Sequence, residues 1–128
     1  MKALTILVMI LRVVVLLALI LGIILWTTSA DNLKPVHMIL GILTVLTLWA
    51  IGLVQGFQKD GSFPLALATF IVGLIVAIVG LYQEQWLVGS AHWVIQVIHL
   101  LLGLTAIGLG EMIVAHSKRR LKATMSAS

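Results

Sequence analysis

Cysteine is absent from this chain, which excludes disulfides, thiolate metal sites, cysteine nucleophiles and haem held through thioether bonds. Charge is scarce: 9% of the 128 residues are Asp, Glu, Lys or Arg, where an ordinary soluble domain carries about 25%. The 2 prolines and 11 glycines fit neither a disordered nor a collagen-like chain. No phosphate-cradling glycine loop, His-Glu-x-x-His zinc motif, acidic calcium loop or Ser-His-Asp arrangement can be assembled from the spacing. Chemistry is left to histidine, carboxylates, hydroxyls or a bound cofactor.

What is present is apolar. Hydrophobic residues make up 62% of the chain and the mean hydropathy is +1.23, which excludes an ordinary soluble domain and points to a lipid bilayer as solvent. The net charge of +4 invites a nucleic-acid reading, yet four of the eight basic residues are Lys118, Arg119, Arg120 and Lys122, just after the last apolar segment. That placement orients a membrane protein, and no nucleic-acid partner is expected.

Four stretches are long enough to cross a hydrocarbon core of about 30 Å: 4–26, 35–56, 64–83 and 91–114. The first has a rival reading as a cleavable signal peptide, with Lys2 before the apolar run and Thr27, Thr28, Ser29 and Ala30 after it. Its run is longer than the roughly 7–15 residues of a signal core, so a retained span is expected. The breaks are short: Pro35 opens the second span, Gly61-Ser62 precedes Pro64, and Gly89-Ser90 precedes the fourth. The expected fold is all-α: a single transmembrane domain over 1–128, an integral membrane four-helix bundle in up-down-up-down order. Both termini then share one side, and the basic tail 115–128, Lys2 and Lys59 assign it to the cytoplasm, with a bacterial inner (plasma) membrane as the expected location. Trp26, Tyr82, Trp86 and Trp93 gather near the outer interface, as an aromatic belt or, alternatively, as part of a pocket wall. Arg12 and Glu111 interrupt the first and fourth spans; either they pair inside the bundle or both sit at the inner interface.

The most informative feature is a repeated signature. Val36-His37-Met38-Ile39-Leu40-Gly41 and Ile98-His99-Leu100-Leu101-Leu102-Gly103 each carry His, three bulky apolar residues and Gly. The preceding spans match loosely, Ala18-Leu19-Ile20-Leu21-Gly22 against Val76-Ala77-Ile78-Val79-Gly80. Two helical hairpins related by a pseudo-two-fold axis are expected, each giving one His to the outer half of the bundle. Residues four apart share a helix face, so Gly41 lies beside His37 and Gly103 beside His99, leaving room for a flat macrocycle. The fourth span extends the stripe through His92, Gln96, His99, Gly103, Ala106 and Gly110; the third offers Ala66, Gly73, Ala77, Gly80 and Glu84. Close helix packing is the ordinary explanation of such small residues.

An intramembrane imidazole needs a partner, and two imidazoles from facing helices can hold one haem iron. His37 and His99 are the expected ligands, with His37 and His92 as the alternative pair; Lys34, Gln83 and Ser90 are placed to meet propionates, and His116 is interfacial. The residues Gln96-Val97-Ile98-His99-Leu100-Leu101-Leu102-Gly103, with His37, resemble one four-helix half of a haem A synthase and, more broadly, a small bis-His membrane b-type cytochrome. The resemblance implies a four-helix bundle with His37 and His99 as axial ligands of one haem b. The synthase's substrate half has an acidic residue shortly before its second-helix His and typically a cysteine pair in an outer loop; here Lys34 precedes His37 and cysteine is absent. Haem hydroxylation is therefore not expected. An electron carrier with a quinone or redox-protein partner is the expected function. The alternatives are a cofactor-free accessory subunit, a quinol-linked cytochrome subunit, and a zinc or copper site made of His37, His92 and His99.

Overall fold

The computed structural model describes residues 2–28, 31–59, 61–85 and 89–127. They form four helices: α1 (Lys2–Thr27), α2 (Lys34–Phe57), α3 (Phe63–Tyr82) and α4 (His92–Ala127), with short 3-10 turns at Asp31–Leu33 and Gln83–Gln85. No strand occurs among the described residues.

The helix starts follow from local chemistry. Pro35 and Pro64 sit in the first turns of α2 and α3, where a missing N–H leaves no bond unmade. Ser62 caps α3, its hydroxyl accepting from the Leu65 N–H at 3.4 Å. Gln55, 2% exposed near the end of α2, clasps the connection: its Nε2 donates to the Ser62 carbonyl at 2.6 Å and its Oε1 accepts from the Ser62 N–H at 3.1 Å. Gly89, with φ of 101°, occupies the left-handed region before α4 that glycine alone adopts without penalty. The basic residues Lys118, Arg119, Arg120 and Lys122 do not form a separate tail. They continue α4, whose 36 residues reach roughly 54 Å at about 1.5 Å per residue.

The helices make a bundle in which α2 packs on α1 and α3, and α4 packs on the same two. Each is long and apolar enough to cross a membrane. The exterior is apolar as well, with Val13 58%, Leu53 61% and Ile39 57% exposed, which suits a lipid solvent rather than water.

Packing is uneven along the bundle. One half is solid: Leu4, Val8, Leu11 and Val15 of α1, Leu48 and Ile51 of α2, and Ala106, Leu109, Ile113 and Val114 of α4 form one buried cluster. Glycines let backbones close there. A Cβ on Gly52 would strike the Thr69 side chain, one on Gly73 would strike the Trp49 indole, and one on Gly110 would come within 2.6 Å of Leu11 Cδ2. Trp49 stacks on Phe70 at 5.5 Å between ring centres, and its Nε1 donates to the Phe70 carbonyl at 3.3 Å. Toward the ends of α1 and α3 and the starts of α2 and α4 the solid core gives way to a cavity. No residue of α1 after Val15, and none of α2 before Thr44, is fully buried.

Candidate cofactor site

The cavity has a volume of about 440 Å³, within the range of small-molecule and cofactor sites. All four helices line it. The α1 wall is Val15, Ala18, Gly22 and Trp26; the α2 wall is His37, Gly41 and Thr44; α3 gives Val76 and Gly80; α4 gives His92, Gln96, His99 and Gly103. The polar groups Asp31, Lys34, Gln83 and Glu84 line the part nearest the interhelical turns.

His37 and His99 meet across this space. Their ring centres are 6.1 Å apart and the planes are inclined at 71°. Both Nδ1 atoms are buried without a hydrogen-bond partner.

The four glycines divide into two kinds. Gly22 and Gly80 are seats for the imidazoles: a Cβ on Gly22 would lie 3.2 Å from His37 Cε1, and one on Gly80 would lie 3.3 Å from His99 Cε1. Each hairpin thus backs its own histidine with the glycine of its preceding helix. Gly41 and Gly103 are different, because a Cβ at either would meet nothing within 4 Å. They open onto the cavity instead of admitting a neighbouring helix.

These features fit a bis-imidazole metal group. Two imidazoles bound to one metal from opposite sides hold their ring centres about 6 Å apart, since the metal–nitrogen bond takes about 2.0–2.1 Å and the ring centre lies about 1.1 Å further on. The observed separation of 6.1 Å is of that size. Ligation through one ring nitrogen fixes the tautomer and leaves the other nitrogen to be met by an acceptor. Two half-buried rings with orphaned Nδ1 atoms, beside two glycines that face open space, would suit a flat ligand.

Other expected residues fall as follows. His92 lines the cavity, but among the described residues no three of His, Asp and Glu come together as a metal-holding group. Lys34 reaches the cavity, though its ammonium is paired with Glu84 at 3.1 Å and with Asp31 at 3.5 Å. Gln83 lines the cavity and Ser90 does not. His116 lies far along α4, outside the site. Trp26, Tyr82 and Trp93 are 42%, 48% and 57% exposed, and Trp26 also lines the cavity; Trp86 lies outside the described residues. Arg12 and Glu111 do pair, with Nη2 to Oε2 at 2.8 Å and Nε on Oε1. The pair sits on the outside of the α1–α4 seam, its side chains 53% and 42% exposed.

Thr44 and Asp31 were not singled out from sequence. Thr44 is signalled by its spacing, seven residues after His37 on the same helix face; its hydroxyl donates to the Leu40 carbonyl at 2.9 Å, so its methyl is left for the cavity floor. Comparison with known proteins returns no match to any family model, curated protein or solved structure.

Proposed function

We propose that this chain is an integral membrane electron-transfer protein that holds one b-type haem between His37 and His99. The observation that carries the reading is the pair of imidazoles, 6.1 Å apart with both Nδ1 atoms orphaned, at a cavity onto which Gly41 and Gly103 open. A haem held there would supply one-electron exchange, and with His37 and His99 both given to holding it neither residue would be left to act on a substrate.

The chain's own residues do the rest. His37 and His99 would hold the iron, with Gly22 and Gly80 seated against their rings. Gly41 and Gly103 would leave room for the macrocycle. Val15, itself part of the solid core, closes that end of the site with Thr44 and Val76. Lys34, with Gln83, stands at the polar end, where anionic propionates would compete with Glu84 for its ammonium.

In the proposed topology the helices run up-down-up-down, and the hairpins α1–α2 and α3–α4 are pseudo-two-fold copies. The pairing of Gly22 with His37 and Gly80 with His99 supports that repeat. The cavity faces outward and both termini are cytoplasmic, with the basic end of α4 projecting beyond a core of about 30 Å. A bacterial plasma membrane and a quinone or redox-protein partner complete the proposal.

The test is to express the protein with haem supplied, purify it in mild detergent, record reduced-minus-oxidised spectra and quantify haem as its pyridine haemochrome. One haem per chain with sharp reduced α and β bands is expected. A colourless protein would remove the reading and leave a cofactor-free accessory subunit in its place.

A further inference from the structure

The Arg12–Glu111 pair plays no part in the haem site, and its position is hard to reconcile with an isolated chain in lipid. Glu111 lies seven residues before Lys118, roughly 10 Å into the apolar part of α4, and Arg12 lies ten residues after Lys2, roughly 15 Å along α1. With Lys2 and Lys118 at the inner interface, both would lie within a hydrocarbon core of about 30 Å. About half of each side chain is nonetheless exposed, on the outer surface of the bundle. Arg12 is not reaching toward headgroups, because its Nε and Nη2 are both engaged sideways with the Glu111 carboxylate. Ionised groups at this depth are expected to face protein or water, not acyl chains.

The pair also has bonding capacity to spare. A guanidinium has five N–H donors and a carboxylate about four acceptor sites. Among the described residues, Arg12 donates only through Nε and Nη2, leaving Nη1 unused, and Glu111 accepts only from Arg12. Beside it, one turn earlier on α4, Gly108 is exposed and a Cβ there would meet nothing within 4 Å. Among the described residues, no neighbouring helix packs against this glycine.

We propose that the α1–α4 seam around Arg12, Gly108 and Glu111 is the interface for a second copy of this chain. A seam carrying one positive and one negative group is complementary to itself under a two-fold axis: each Arg12 turns its Nη1 donors to the partner's Glu111, and the converse contact follows. Gly108 lets the two α4 helices approach closely enough for those charges to meet. The result is a four-charge ring shielded from lipid, with all its donors and acceptors better used. The haem site lies at the other end of the bundle, so the inference is independent of the reading above.

The chain has no cysteine, so single-cysteine variants report without interference. The experiment is disulfide cross-linking of the full chain in native membranes, using Gly108→Cys and Met112→Cys on the seam and Ile71→Cys on the exposed face of α3. The seam variants are expected to form cross-linked dimers and Ile71→Cys to remain monomeric. Added to Met112→Cys, Arg12→Glu alone should abolish the cross-link, and the exchanged pair Arg12→Glu with Glu111→Arg should restore it. Equal cross-linking from Ile71→Cys, or monomers from both seam variants in protein that purifies folded, would overturn the proposal. So would retention of the dimer by Arg12→Glu, since the seam would then be covered by lipid or by packing that ignores the charges.

Discussion

Replacing the cavity glycines tests the site through stability rather than colour. Gly41 and Gly103 lie within helices, where glycine is about 0.8–1.0 kcal/mol less favourable than alanine on the propensity scale measured in water. A methyl at either position meets nothing within 4 Å, so no steric term opposes the gain. Gly41→Ala and Gly103→Ala should each therefore stabilise the protein made without haem by up to about 1 kcal/mol, an upward shift in Tm of roughly 4 °C for a chain of this size. The larger Gly41→Leu and Gly103→Leu should also leave the haem-free fold intact while reducing haem content to background, because they fill the space a macrocycle would take. Gly22→Ala and Gly80→Ala should behave differently. Their methyls would stand 3.2 and 3.3 Å from the imidazole Cε1 atoms, closer than the usual carbon–carbon optimum of about 3.5–4.0 Å, so each ring must shift. Thermal unfolding of preparations made with and without haem, paired with pyridine haemochrome assays, measures both effects. Destabilisation of the haem-free protein by Gly41→Ala or Gly103→Ala, or full haem content in the leucine variants, would show that these glycines serve packing alone and would refute the reasoning.

Three further outcomes are expected. Gly52→Ala should destabilise the α2–α3 contact by about 1–3 kcal/mol by overpacking against Thr69, and Thr69→Ala, which removes the obstructing hydroxyl, should recover much of it in a double-mutant cycle. Leu48→Ala, at a side chain with 0% exposure in the solid half, should cost about 2–5 kcal/mol yet leave the haem spectrum unaltered below its lowered Tm. His92→Ala should retain one haem with unchanged band positions; loss of haem there would instead favour the His37 and His92 pair.

Most of the scaffold is legible from sequence because lipid-crossing helices announce themselves by length and by their breaks. The first three spans differ from α1, α2 and α3 by one or two residues at each end, since Pro35 and Pro64 fix the starts of α2 and α3. The end of α4 is the exception. Hydropathy ends at the basic run, but helical hydrogen bonding does not, so Lys118 and its neighbours continue the helix to Ala127. At the site, the four residues of the His-x-x-x-Gly signatures, His37, Gly41, His99 and Gly103, line one cavity. The α4 stripe divides in a way its spacing does not reveal: His92, Gln96, His99 and Gly103 face the cavity, whereas Ala106 and Gly110 are packed in the core. The contacts of Trp49 with Gly73 and of Lys34 with Glu84 join different helices or turns, so no periodicity along one element encodes them.

The most direct test of the central claim is electron paramagnetic resonance of the ferric protein, alongside His37→Ala and His99→Ala variants, with and without added imidazole. A low-spin bis-imidazole signal in the wild type is predicted, converting to high spin or vanishing in each variant and returning when imidazole fills the vacated position. A wild type with no haem signal, or a low-spin signal that survives either substitution, would contradict the assignment of His37 and His99 as the two ligands.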